Sequence, residues 1–139
     1  MTNCPRLVAI LLAGALALTA PMVPAADANT EAAPRPSASE VRPAYAAGAK
    51  FVDVRSAAEW SNGHLEGALH LPVADVAEQA ARVLPDKNQP IITYCAAGGR
   101  AETAAESLRH LGYTQVTAMT GGYADLKAAN YPVVEAPAD

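Results

Sequence analysis

Cys95 and Arg100 bracket a loop of small residues, Ala96, Ala97, Gly98 and Gly99. A cysteine is a nucleophile only as its thiolate, so the question is whether this surrounding favours the anion. Four residues with almost no side chain let the backbone N–H groups curl towards one point, and such a nest binds an anion. If a helix begins directly after the loop, its positive end adds to the effect. The Cys95 sulfur is then the anion held at that point. Arg100 closes the loop with a fixed positive charge whose planar fork can hold an anionic substrate bidentately. These residues point to nucleophilic chemistry on a small anion.

The elements that must position the loop can be read around it. Ile91, Ile92, Thr93 and Tyr94 are β-branched or aromatic and follow Pro90, a pattern that suits a central strand covered on both faces. Beyond the loop the period changes: Ala101, Ala104, Ala105, Leu108 and Leu111 recur at helical spacing, Gly112 follows as the C′ residue, and His110 sits near the negative end of the dipole. Cys95 is therefore expected at the carboxyl edge of a sheet, facing a helix N-terminus. The remaining pattern alternates. A helix is expected over Glu40–Gly48, interrupted by Pro43, and strands over Lys50–Val54, Ala68–Leu71 and Gln115–Met119. Ser56-Ala57-Ala58-Glu59 has capping-box spacing, so a short helix carrying Trp60 begins there and ends at Asn62-Gly63. A loop around His64 follows. Val73–Leu84 and Tyr123–Asn130 read as helices, and Gly121-Gly122 as a turn. Strands alternating with helices imply an α/β fold: a parallel sheet covered by helices on both faces, with ligands at the strands' carboxyl ends.

Residues 1–26 read as a signal peptide. Arg6 and the free amine form a positive start, the run from Leu7 to Ala20 is apolar, and Pro21 breaks it. Val23-Pro24-Ala25 fits a small-residue cleavage site, with Ala26 the second choice, and the apolar run falls short of the roughly 20 residues that span a bilayer. Export, to the periplasm, is the expectation; a stable membrane anchor is not. Cleavage removes Cys4 and leaves Cys95 as the lone thiol, which excludes an internal disulfide. In an oxidising compartment such a residue is either buried and inert or reactive, and the loop favours the second. The whole chain has a formal charge of −4, from 10 basic and 14 acidic residues. Loss of Arg6 leaves 9 against 14, or −5. There is no basic stripe, which argues against nucleic acid as a partner. Residues 27–39 read as a flexible linker, residues 40–134 as one domain and residues 135–139 as a tail.

The remaining polar residues have structural readings. Asp53 and Arg55 tie a strand end to its neighbouring loops as a buried or half-buried pair, although Arg55 could face the site. His64 could serve Cys95 as a base, but in a Gly-His-x-x-Gly turn its simpler role is a hydrogen bond to loop backbone. His64, His70 and Cys95 lack the paired spacing of a zinc site. Trp60 reads as a core residue.

Taken together, Asp53-Val54-Arg55, the run from Gly63 to Ala68 followed by Leu71-Pro72, the loop from Cys95 to Arg100, and Gly121-Gly122 resemble a single rhodanese domain over about residues 38–134, of the small exported type. The resemblance implies the rhodanese three-layer fold and the activity of a thiosulfate sulfurtransferase, without metal or organic cofactor. In it Cys95 takes a sulfane sulfur from thiosulfate or a similar donor, and the resulting persulfide passes it to cyanide or a thiol. Ala96, Ala97, Gly98, Gly99 and Arg100 hold the donor and the persulfide, with Asp53, Arg55 and His64 in support. The alternative is a persulfide carrier that delivers to a protein partner and turns over small molecules slowly. The loop length separates reaction classes: phosphatases and arsenate reductases of this fold resemble Cys-x5-Arg, whereas Cys95 and Arg100 are Cys-x4-Arg, a smaller cradle suited to one sulfur atom. Ala96 stands where many members carry Arg or another polar residue.

Overall fold

A computed structural model describes residues 34–137; the leader assigned to residues 1–26 lies outside them. Four parallel strands, β1 (Lys50–Asp53), β3 (Leu69–His70), β4 (Ile91–Cys95) and β5 (Val116–Gly122), form a sheet in the order β3-β1-β4-β5. Successive side chains of a strand point to opposite faces, and here both faces are apolar. Val52, Ile91 and Cys95 join one core cluster with Val76 and Ala80 of α3 (Val76–Val83) and Ala101, Ala104, Ala105 and Leu108 of α4 (Gly99–His110). Phe51, Ile92, Tyr94 and Met119 join the other, with Leu126 of α5 (Tyr123–Ala128) and Val41, which precedes α1 (Arg42–Ala46). The sheet is thus covered by helices on both sides, which is why every residue of β4 is buried.

Local signals act as their chemistry requires. Ser56 caps α2 (Ala57–Ser61): Glu59 N–H donates to Ser56 Oγ at 3.3 Å, and Ser56 N–H donates back to the Glu59 carboxylate at 3.1 Å. At the end of α4, Gly112 adopts φ +94°, with its N–H on Arg109 O at 3.0 Å and that of Tyr113 on Leu108 O at 3.1 Å. That pair of bonds is the Schellman closure that a glycine at C′ makes available.

Several segments differ from the sequence expectation. The first helix shrinks to five residues, Arg42–Ala46, because Pro43 fits only the first turn of a helix. Val73–Leu84 splits into a 3-10 turn, Val73–Asp75, and α3. Gly121-Gly122 is no separate turn but the end of β5. The region around His64 is a strand, β2 (Gly63–Leu65), and Val133–Glu135 forms β6, antiparallel to it. The domain therefore runs past residue 134 and takes in Glu135. Both strands are only three residues long, too short for a period to show in the sequence. Residues 34–39 are no free linker either. Ala38 is buried, Tyr131 Oη donates to its carbonyl at 2.6 Å, and Thr120 N–H donates to Pro36 O at 2.8 Å. These contacts use backbone carbonyls and one methyl group, so polar, small composition concealed them.

Candidate active site

Cys95 ends β4 and Gly98 is the N-cap of α4, which puts the loop at the sheet's carboxyl edge. Gly98 has φ +101°, a left-handed conformation that costs other residues energy, and it turns its N–H onto Cys95 Sγ at 2.9 Å. Among the described residues this is the loop N–H in hydrogen-bonding position at the sulfur; those of Ala96, Ala97, Gly99 and Arg100 are not. The cradle is narrower than the nest expected from the sequence. Cys95 is 1% exposed, while Ala96, Ala97 and Gly99 are exposed around it. The sulfur therefore lies just below a mouth of small residues.

Two contacts hold this geometry from beneath. Thr93 Oγ1 donates to Ala101 O at 2.8 Å, fully buried, and ties the strand to the first turn of the helix. Gly122 passes directly under the loop: a β-carbon there would overlap the carbonyl oxygens of Cys95 and Ala96. Its backbone is extended, so the requirement is for space and not for a special φ.

Arg100 is not free to wait for a substrate. Its two terminal nitrogens donate to the two oxygens of Glu59, at 2.8 and 2.9 Å, a bidentate pair between α4 and α2. The guanidinium holds the Glu59 carboxyl down at about 2, with help from Ser56, and the carboxylate in turn raises Arg100, an effect to which the nearby Cys95 sulfur adds. Both side chains remain more than a third exposed, 39% and 35%, so solvent can compete for the pair. Glu59 was legible in the sequence only as a capping residue. Its second role, 41 residues from its partner, had no sequence signal.

Asp53 and Arg55 form a buried pair, with side chains 0% and 6% exposed. Asp53 accepts from Arg55 N–H, Nε and Nη2, at 2.6 to 3.0 Å, and Arg55 Nη2 also donates to Gly63 O at 2.7 Å. The guanidinium lies over the Tyr123 ring, 4.6 Å from its centroid. Burial opposes its charge, but Asp53 outweighs burial and the arginine is raised. Gly63 must be small here because a β-carbon would meet Tyr123 Oη at 2.6 Å, and its φ is +142°.

His64 Nδ1 lies 3.0 Å from Trp60 O, and His70 Nε2 lies 3.0 Å from Arg55 O. A carbonyl can only accept, so both imidazoles donate to backbone. Trp60 is half-buried and not a core residue as expected: its indole stacks on both rings, with centroids 3.5 Å from His64 and 4.7 Å from His70. Cys95, the loop and Arg100 are thus brought together, Asp53 and Arg55 underpin the neighbouring strands, and His64 is engaged elsewhere.

A parallel sheet of this order, with a cysteine loop leading into a helix at its carboxyl edge, matches the rhodanese-like domain model over residues 37–129, and the chain belongs to that family. Among its relatives is the thiosulfate sulfurtransferase PspE of Escherichia coli, 37% identical over 76 residues that cover 55% of this chain and 72% of the relative. A tRNA uridine(34) hydroxylase of Erwinia tasmaniensis is 36% identical over 78 residues, 53% of this chain, which spans only 22% of that enzyme. Of solved structures, the rhodanese-like domain of an Anabaena protein superposes with a TM-score of 0.66 at 27% identity, covering 76% of this chain and 86% of that domain.

Proposed function

We propose that this protein is a sulfurtransferase that moves a sulfane sulfur through a persulfide on Cys95. The observation that carries the reading is the Cys95 sulfur held at 2.9 Å by the Gly98 N–H at the mouth of a helix. In the first step the Cys95 thiolate attacks the outer sulfur of thiosulfate or a similar donor. The new S–S bond forms as the donor's S–S bond breaks, and sulfite leaves with the electron pair. In the second step cyanide or a thiolate attacks the outer sulfur and the Cys95 thiolate is released. The Gly98 N–H and the helix dipole stabilise the anion at each stage, and an anionic donor competes with the half-exposed Glu59 carboxylate for Arg100. The relative named for thiosulfate transfer supports the reaction class. A leader over residues 1–26 would direct the protein to the periplasm; no helix among the described residues is long and apolar enough to cross a membrane.

One observation favours the carrier reading. Glu59 neutralises the only arginine of the loop, which weakens the hold on a dianion and leaves a mouth of alanines suited to a persulfide delivered from, or to, a protein. Intact mass after exposure to thiosulfate, repeated after cyanide, tests the mechanism: Cys95 gains one sulfur atom that cyanide removes. Rapid turnover marks the enzyme; loading with slow turnover and a stable protein partner marks the carrier. If neither thiosulfate nor small persulfides load Cys95, the persulfide mechanism is wrong.

A further inference from the structure

We propose that Arg35, on the segment ahead of the domain, is a positioning residue of the active loop. Arg35 Nη1 donates to Gly98 O at 2.8 Å. Gly98 is the residue whose N–H meets the Cys95 sulfur, so the two peptide groups flanking its Cα are both engaged: one on the thiol, the other on Arg35. Glycine reaches φ +101° without strain and can leave it as easily, so a contact on its carbonyl helps to fix the direction of its N–H.

The arm that carries Arg35 is built to stay in place. Pro34 and Pro36 flank it, and a residue before proline is confined to extended conformations. Pro36 O takes the Thr120 N–H from the end of β5, and Ala38 O takes the Tyr131 hydroxyl. Arg35 Nε also lies 3.8 Å from the Glu102 carboxylate, a half-exposed contact that steers the side chain more than it stabilises the fold.

Electrostatics separate this role from plain support of α4. A cation at a helix N-terminus opposes the dipole and is unfavourable for the helix. The same cation is favourable for a negative sulfur at that end, so its placement makes sense as part of the loop's anion-holding chemistry. Gly98 O already accepts the Glu102 N–H at 3.2 Å, so α4 does not need Arg35 to satisfy its first carbonyl. The family match begins at residue 37. A domain cut at that boundary keeps Cys95 and Arg100 but loses the arm's cation.

The proposal rests on Cys95 being the reacting thiol, and its test is read first on the thiol itself. The rate of Cys95 alkylation by iodoacetamide at pH 7 is measured for the unaltered protein, Arg35→Ala and Arg35→Lys. Alkylation needs no sulfur transfer, so failure of the sulfurtransferase reading would leave this measurement intact. Loss of this one hydrogen bond is expected to slow Arg35→Ala about five- to tenfold. Arg35→Lys should recover most of the rate, and the melting temperature of Arg35→Ala should hold within a few degrees. If turnover with thiosulfate is observed, kcat should fall by the same factor with KM little changed, because Arg35 lies behind the loop and does not touch the donor. An unchanged alkylation rate in Arg35→Ala overturns the proposal. So does a loss that lysine does not restore, or one that only follows a collapse in melting temperature.

Discussion

Replacing Arg55 by methionine removes three of the four hydrogen bonds on the Asp53 carboxylate, because Nε reaches both oxygens and Nη2 one, and leaves it the Arg55 N–H alone. Asp53 is fully buried, so no water replaces what is lost. Gly63 O loses its donor at the start of β2, and the Tyr123 ring loses its cation. Breaking a buried pair by removing one partner costs about 3–5 kcal/mol, a large share of the 5–15 kcal/mol that ordinarily holds a domain together. With a urea slope of about 1.5 kcal/mol per molar for a domain of this size, the midpoint should fall by roughly 2–3 M. Trp60, the single tryptophan, stacks on two imidazoles and reports the transition by fluorescence. The double variant Asp53→Leu with Arg55→Met leaves no buried charge and should be more stable than Arg55→Met alone. A single variant that loses under about 1 kcal/mol, or a double variant no better than the single, would refute the claim that a stranded buried charge is what hurts.

Other outcomes follow from the same geometry. The Glu59–Arg100 pair is exposed enough that its worth, after screening, is about 1 kcal/mol. Because the folded protein holds Glu59 at about 2, below an unfolded carboxyl, this contribution is complete above about pH 4.5 and lost as pH falls towards 2. Melting temperatures from pH 6 to 2.5 should therefore fall more steeply for the unaltered protein than for Glu59→Gln. Gly122→Ala must push the loop away from its β-carbon, and a misplacement near 1 Å costs on the order of a hundredfold in turnover, read as kcat against the persulfide-forming donor. Cys95→Ser should show no sulfur gain in intact mass under any donor. Ala96→Arg adds an exposed cation at the mouth and should lower the thiosulfate KM about fivefold, the equivalent of about 1 kcal/mol; an unchanged value would argue that the dianion is not held there.

The stretch around Cys95 was legible because its logic is local. Strand, loop and helix from Ile91 to His110 are specified by residues within a few positions of one another, as are the Ser56 cap and the Gly112 closure, and family motifs gathered these into one fold. Short-range signals ran out where elements are three residues long, as in β2 and β6, and where the partners are backbone atoms, as at Pro36 and Ala38. Trp60 went astray for a related reason: an indole suits a core, and nothing in its neighbourhood announces two imidazoles as stacking partners.

The sequence alone determined that Cys95 lies at a helix mouth within a loop of small residues closed by an arginine, since backbone N–H groups and helix dipoles follow from local chain geometry. Only the tertiary structure decided what that loop leans on. Glu59 meets Arg100 across 41 residues, Arg35 meets Gly98 across 63, and Gly122 fits beneath Cys95 where no side chain could. Such contacts each contribute about a kilocalorie and carry no periodicity, so they leave no trace in the order of residues and appear only when the chain has closed upon itself.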